Sequence, residues 1–120
     1  MPLELGIFLG AKKYGTKEQK NKTCLIMDKE QYRYHKFISD LSGQDIEHHD
    51  RKPENVIRLV TNWLRNASKR TTIPGGLSVV EQYKIFKKEL PEKCKSQEIN
   101  VDELRFNDYS MLVSEWIKAN

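Results

Sequence analysis

Cysteine is scarce in this sequence. Cys24 and Cys94 stand 70 positions apart, with no Cys-x-x-Cys and no histidine at metal-ligand spacing. That argues against a disulfide scaffold or a zinc finger and reads as two reduced thiols in a cytosolic protein. Long apolar runs are missing as well, and nothing approaches the roughly eighteen residues of a membrane span. Residues 1–10 lack the basic start and cleavage pattern of a signal peptide. There is no P-loop, no GxGxxG fingerprint, no defensible Ser-His-Asp spacing, no internal repeat and no heptad seam. The formal charge of +4 is too mild and too dispersed to argue for nucleic acid by itself.

What is present fits one small domain. The 120 residues are 38% hydrophobic and 32% charged, which predicts a thin core under a well-solvated surface. The least polar stretch is the first, Leu3-Glu4-Leu5-Gly6-Ile7-Phe8-Leu9-Gly10. It predicts a short helix, apolar on most sides and therefore buried. Glu4 then needs a reason, because an unpaired buried carboxylate is costly. It either faces the positive end of the helix dipole or faces a ligand. Gly6 and Gly10 leave a smooth stripe for a neighbouring backbone or a ligand.

From Lys12 to Lys22 the sequence predicts a polar loop with five lysines and one acid, open to solvent or to phosphates. Thr23-Cys24-Leu25-Ile26-Met27-Asp28 is the best strand, predicted to be covered on both faces. It delivers Asp28 at its carboxyl end, where open α/β sheets bind ligands, although Asp28 serves equally as a cap. Tyr34, Phe37, Ile38 and Leu41 predict a helix ending at Gly43, followed by a short extended piece over 44–47. His48-His49-Asp50 reads as a polar loop, since adjacent histidines diverge and no further cluster completes a metal site. Pro53 opens a helix whose apolar face is Val56, Ile57, Val60, Trp63, Leu64 and Ala67. Pro74-Gly75-Gly76 closes a connector and is either a plain turn or an anion-binding backbone. A capping box at Ser78 and Glu81 then starts a helix predicted to stop near Pro91. A charged connector over 92–100 follows, with Asp102 capping a short turn through Leu104. Tyr109, Leu112, Val113, Trp116 and Ile117 predict the last helix.

Leu3 to Gly10 resembles the Glu-Leu-Gly helix of bacterial TIR-like and nucleoside deoxyribosyltransferase-like proteins. Cys24 to Asp28 and Tyr32 to Ile46 also resemble uncharacterised bacterial proteins of that kind. The resemblance implies a helix-rich α/β fold, part of a flavodoxin-like parallel sheet, with residues 1–50 as the C-terminal half of the TIR-like unit. Residues 51–120 would be a helical extension packed on it. It implies Glu4 as a catalytic carboxylate acting on the N-glycosidic bond of NAD or a nucleoside, in the cytoplasm and in bacterial defence. Such chemistry develops oxocarbenium character on the sugar, which a carboxylate stabilises or attacks. Asp28, Lys12 and Lys13 are the candidate nucleotide-binding residues, the first by its place at the end of the strand and the lysines by charge. No metal or obligatory cofactor is expected.

A single confident strand cannot satisfy its own backbone hydrogen bonds. Its partners are expected from the 44–47 segment, a second copy of the chain, or an upstream half-domain. The alternative to an enzyme is therefore a non-catalytic interaction module that completes itself on a partner chain.

Overall fold

The computed structural model describes residues 2–33 and 46–120. Along the chain run α1 (Pro2–Tyr14), α2 (Lys17–Lys20), β1 (Ile26–Asp28), β2 (Ile46–His48), α3 (Pro53–Ser68), α4 (Gly76–Ser96), a 3-10 turn (Val101–Glu103) and α5 (Phe106–Ala119). The architecture is helix-rich with a small parallel sheet in which Ile26 pairs with Ile46 and Asp28 with His48. The helix expected over Tyr34–Leu41 and its Gly43 cap lie outside the described residues.

The core sits between α4 and α5. Phe86, Leu90 and Cys94 recur every four residues along α4 and meet Leu112 and Trp116 of α5; all five are buried. Full burial of a Phe or Leu side chain stabilises by about 1.5–3 kcal/mol. The Phe86 ring lies edge-on to Tyr109 and to Trp116, each centroid 5.7 Å away, the arrangement that ring quadrupoles favour. The Trp116 indole N–H donates to Glu89 Oε2 at 2.7 Å, so the buried ring keeps a partner for its one polar atom.

This core corrects one boundary. The sequence predicts that α4 stops near Pro91, yet the helix continues to Ser96. Proline removes one ladder hydrogen bond and crowds the preceding turn, at a cost of about 3 kcal/mol. Continuing the helix buries Cys94 completely beside Leu90, and α4 then closes on a Schellman-type end. There Glu98 N–H donates to Lys95 O at 3.2 Å and Ile99 N–H to Cys94 O at 2.9 Å, while Ile99 packs on the core. The start of α4 is a second correction. Gly75, not Ser78, is the N-cap residue. The Gly76 N–H is satisfied from outside the helix, by Asn62 Oδ1 of α3 at 3.2 Å. A Cβ on Gly76 would lie 2.9 Å from both Arg58 O and Asn62 Oδ1, so only glycine lets α3 come this close.

Helix α3 begins with Pro53 as expected. Val56, Ile57, Val60 and Trp63 are half-buried, whereas Leu64 and Ala67 are exposed because the contact surface ends before the last turn. Ile117 of α5 is likewise exposed.

The N-terminal part departs furthest from expectation. Helix α1 forms, but none of its described residues is buried; Leu3 is 74% and Ile7 63% exposed. Among the described residues a Cβ on Gly6 or Gly10 would meet nothing within 4 Å, so none of their backbone approaches that stripe. The expected 12–22 loop holds the end of α1 and the short α2, closed by a Thr16–Gln19 capping box. Strand β1 is three residues long instead of six, and Met27 is exposed, so the sheet is not covered on both faces. The radius of gyration is 18.0 Å and the extents are 52 × 34 × 24 Å. A compact chain of this length would measure about 14 Å.

Glu98 has φ 57°, a left-handed conformation that a helix end usually gives to glycine. Replacing Glu98 by Gly removes the Cβ conflict and is expected to raise stability by about 1 kcal/mol. In a thermal melt this reads as an increase of roughly 3–5 °C in Tm. A lower Tm would mean that α4 does not end on this motif.

Candidate functional site

Two surfaces stand out, a polar cluster at the carboxyl ends of the strands and an apolar groove among the helices. The first follows from the parallel register, which sets Asp28 beside His48. Asp28 Oδ1 accepts from Lys29 N–H at 2.7 Å and from Arg33 Nε at 2.9 Å. Partial burial pushes the Asp28 carboxyl up, but the Arg33 and Lys29 hydrogen bonds and charges outweigh it and hold it below the ordinary carboxylate value. Asp28 is thus an ionised, occupied acceptor, which suits positioning better than proton transfer.

After β2 the chain turns sharply. Lys52 N–H returns to His49 O at 2.9 Å, and the two central residues, Asp50 (φ 52°) and Arg51 (φ 59°), are both left-handed. This is the backbone of a type I′ turn, which normally takes Asn-Gly or Asp-Gly. Arg51 in the second place costs about 1 kcal/mol. The turn is held by several bonds. His49 N–H donates to Asp28 O at 3.0 Å, Arg51 N–H to His49 Nδ1 at 3.1 Å, and Asn55 Nδ2 to His49 O at 3.2 Å. His48 Nδ1 lies 2.9 Å from Asp50 Oδ1, and Arg51 reaches Glu30 across the strand ends at 3.3 Å. That exposed pair contributes at most about 1 kcal/mol. Among the described residues no group of three or more His, Cys, Asp or Glu is arranged to hold a metal.

The residues singled out from the sequence are not gathered in one place. Glu4 is exposed in the first turn of α1, where it meets the positive end of the dipole. Among the described residues it makes no hydrogen bond or ion pair. Lys12 and Lys13 occupy the last turn of the same helix, about 12 Å further along its axis. Lys13 Nζ stands 5.2 Å over the Tyr14 ring. Asp28 belongs to the strand-end cluster with Arg33, His48 and Asp50. The Arg33 and His48 pairings escaped the sequence because they depend on register and on the 29–33 turn. A His-x-Asp beside a strand is the one trace of them in the sequence.

The groove was not foreseen either. It encloses about 730 Å³. Buried Phe86 and Trp116 with half-buried Tyr109 form its floor, and Ile57, Val79, Tyr83, Val113 and Ile117 its walls. Burial, and then the neighbouring Tyr83, push the Tyr109 hydroxyl above its ordinary value, so it stays neutral. The sequence had assigned these side chains to separate helix faces, and the faces diverge instead of closing completely. Among the described residues no helix is long and apolar enough to cross a membrane. No protein-family model, curated protein or solved structure matches the chain.

Because the folded Asp28 carboxyl titrates lower than in the unfolded chain, its contribution to stability is present above about pH 4 and lost as pH falls through the folded value. In a carboxyl NMR titration the Asp28 midpoint is expected below that of a free aspartate. Arg33→Gln should raise it, since burial then acts with less opposition. An unmoved midpoint would show that the pair does not form in solution.

Proposed function

We propose that this chain is an interaction module that self-associates, the α1 helix of one copy seating in the α3–α4–α5 groove of another. The observation that supports it is a matched pair of unused apolar surfaces in one chain. Leu3 and Ile7, four residues apart on α1, are solvated, and a groove with an aromatic floor lies open elsewhere. Amphipathic helices bind such grooves through anchors at this spacing. The elongated shape agrees, because a protomer that exchanges an element with its partner is extended when viewed alone.

The size is also adequate. Half of a 13-residue helix presents roughly 300 Å². Two reciprocal dockings, counted on both surfaces, bury roughly 1,200 Å². Stable interfaces start at about that value. Each of the two anchors adds about 1.5–3 kcal/mol when fully buried.

Light scattering on the purified chain tests this. The expected mass is twice the 14.1 kDa of one chain. Leu3→Asp/Ile7→Asp and Ile117→Asp alter exposed positions, so each variant should keep its circular dichroism and run as a monomer. Mixing the two should restore a dimer, since one intact helix and one intact groove remain. A monomeric wild type, or a dimer indifferent to both variants, overturns the proposal.

A second reading is favoured by Asp28, which stands at the carboxyl ends of parallel strands where nucleotides bind in open α/β sheets. In this reading the N-terminal part is TIR-like and flavodoxin-like, and Glu4 attacks or stabilises the sugar of NAD or a nucleoside. It expects turnover of NAD or a nucleoside by the wild type and its loss in Glu4→Gln with folding intact. No turnover by the wild type rejects it.

A further inference from the structure

Residues 55–80 hold four cations, Arg58, Arg65, Lys69 and Arg70, and no carboxylate, in a chain that carries 17 Asp and Glu. The fold draws three of these cations around one concavity. It measures about 470 Å³ and is lined by Asn62, Arg65, Asn66, Lys69, Arg70 and Thr71, a polar set with no acid and no aromatic ring. Among the described residues Arg65, Lys69 and Arg70 make no ion pair. Most described lysines and arginines share that state, whereas Arg33, Arg51 and Lys84 have carboxylate partners, but only Arg65, Lys69 and Arg70 are gathered around an acid-free concavity. Uncompensated like charges held together repel one another, and an anion between them relieves that repulsion.

Two features of the backbone bear on the site. The polar face of α3 turns toward the start of α4, and Arg65 Nη1 lies 3.7 Å from where a Gly75 Cβ would stand. Arg65, Lys69 and Arg70 all lie at the negative end of α3, which they offset, and the concavity brings the three together. We propose that this concavity binds the phosphate groups of a small phosphorylated molecule, with Arg65 and Arg70 as guanidinium forks and the Asn62 and Asn66 amides at the rim. Guanidinium forks match phosphate oxygens two at a time. The volume exceeds a single phosphate and lies in the range of small-molecule sites. The lining has no aromatic platform of the kind that holds the bases of a single strand, which favours a small phosphate ester over nucleic acid. The site is separate from the apolar groove and does not depend on self-association.

Calorimetric titration of the full chain with inorganic pyrophosphate at low salt tests the proposal, with sulfate and a single-stranded oligonucleotide as comparison ligands. Saturable binding of pyrophosphate is expected, weakened roughly ten- to a hundred-fold by Arg65→Ala and by Arg70→Ala. Both positions are exposed, so unchanged melting curves should accompany the loss. Lys20→Ala, in the other basic segment, should bind as the wild type does. The proposal is overturned by no saturable binding, by binding indifferent to Arg65 and Arg70, or by the oligonucleotide binding more tightly than pyrophosphate through those residues. Sulfate binding as well as pyrophosphate would also overturn it, by reducing the site to a general attraction for anions.

Discussion

The contact between α4 and α5 is what the rest of the structure depends on. Phe86, Leu90 and Cys94 set one row of side chains against Leu112 and Trp116, and the Trp116–Glu89 hydrogen bond removes the penalty of burying an indole N–H. Helix α4 is about 32 Å long and, among the described elements, is the one that packs on both α3 and α5. Its two ends are fixed by groups outside its own hydrogen-bond ladder, Asn62 at the start and the Ile99 turn at the end. A helix held in this way tolerates a proline in its last turns, because the tertiary contacts beyond Pro91 outweigh the local defect.

That core is small for the chain, and the consequences run through the whole molecule. Three surfaces are not drawn into it: the exposed Leu3–Ile7 side of α1, a groove with an aromatic floor, and a cationic hollow with no acid. Each is a place where intramolecular physics leaves something unsatisfied. Apolar surface in water and like charges held together both cost free energy, and each is relieved by a different kind of partner. The strand-end cluster differs in character. Its groups already have partners, Asp28 ion-paired with Arg33 and His48 Nδ1 within hydrogen-bond distance of Asp50, so it is closer to a finished structural junction than to an unfilled site.

Helix periodicity was legible for the C-terminal half. The apolar faces of α3 and α5 and the start at Pro53 follow from spacing alone, because those helices bury a face against neighbours close in sequence. In the N-terminal half the strand ending at Asp28 and the extended piece that pairs with it were legible, whereas the burial expected of α1 was not met. Leu3 to Leu9 is apolar enough for a core, but composition does not say whether a partner surface exists in the same chain, and among the described elements only α2 packs extensively on α1. Among the described residues β1 pairs over Ile26–Asp28, opposite Ile46–His48. Local rules also misled at Pro91 and Ser78, where stop and start signals were overruled by burial of Cys94 and by the close approach of α3 at Gly76.

By itself, then, the sequence determined a small, charged, helix-rich α/β chain. It determined where most helices lie and an acid-free basic segment over residues 55–80, since these are properties of neighbours along the chain. Tertiary structure decided which apolar surface is core and which is left open, that Asp28 meets Arg33 and sits beside His48, and that Arg65, Lys69 and Arg70 converge. Those outcomes depend on register and on how far packed helices diverge, and pairwise distances across the fold set them both.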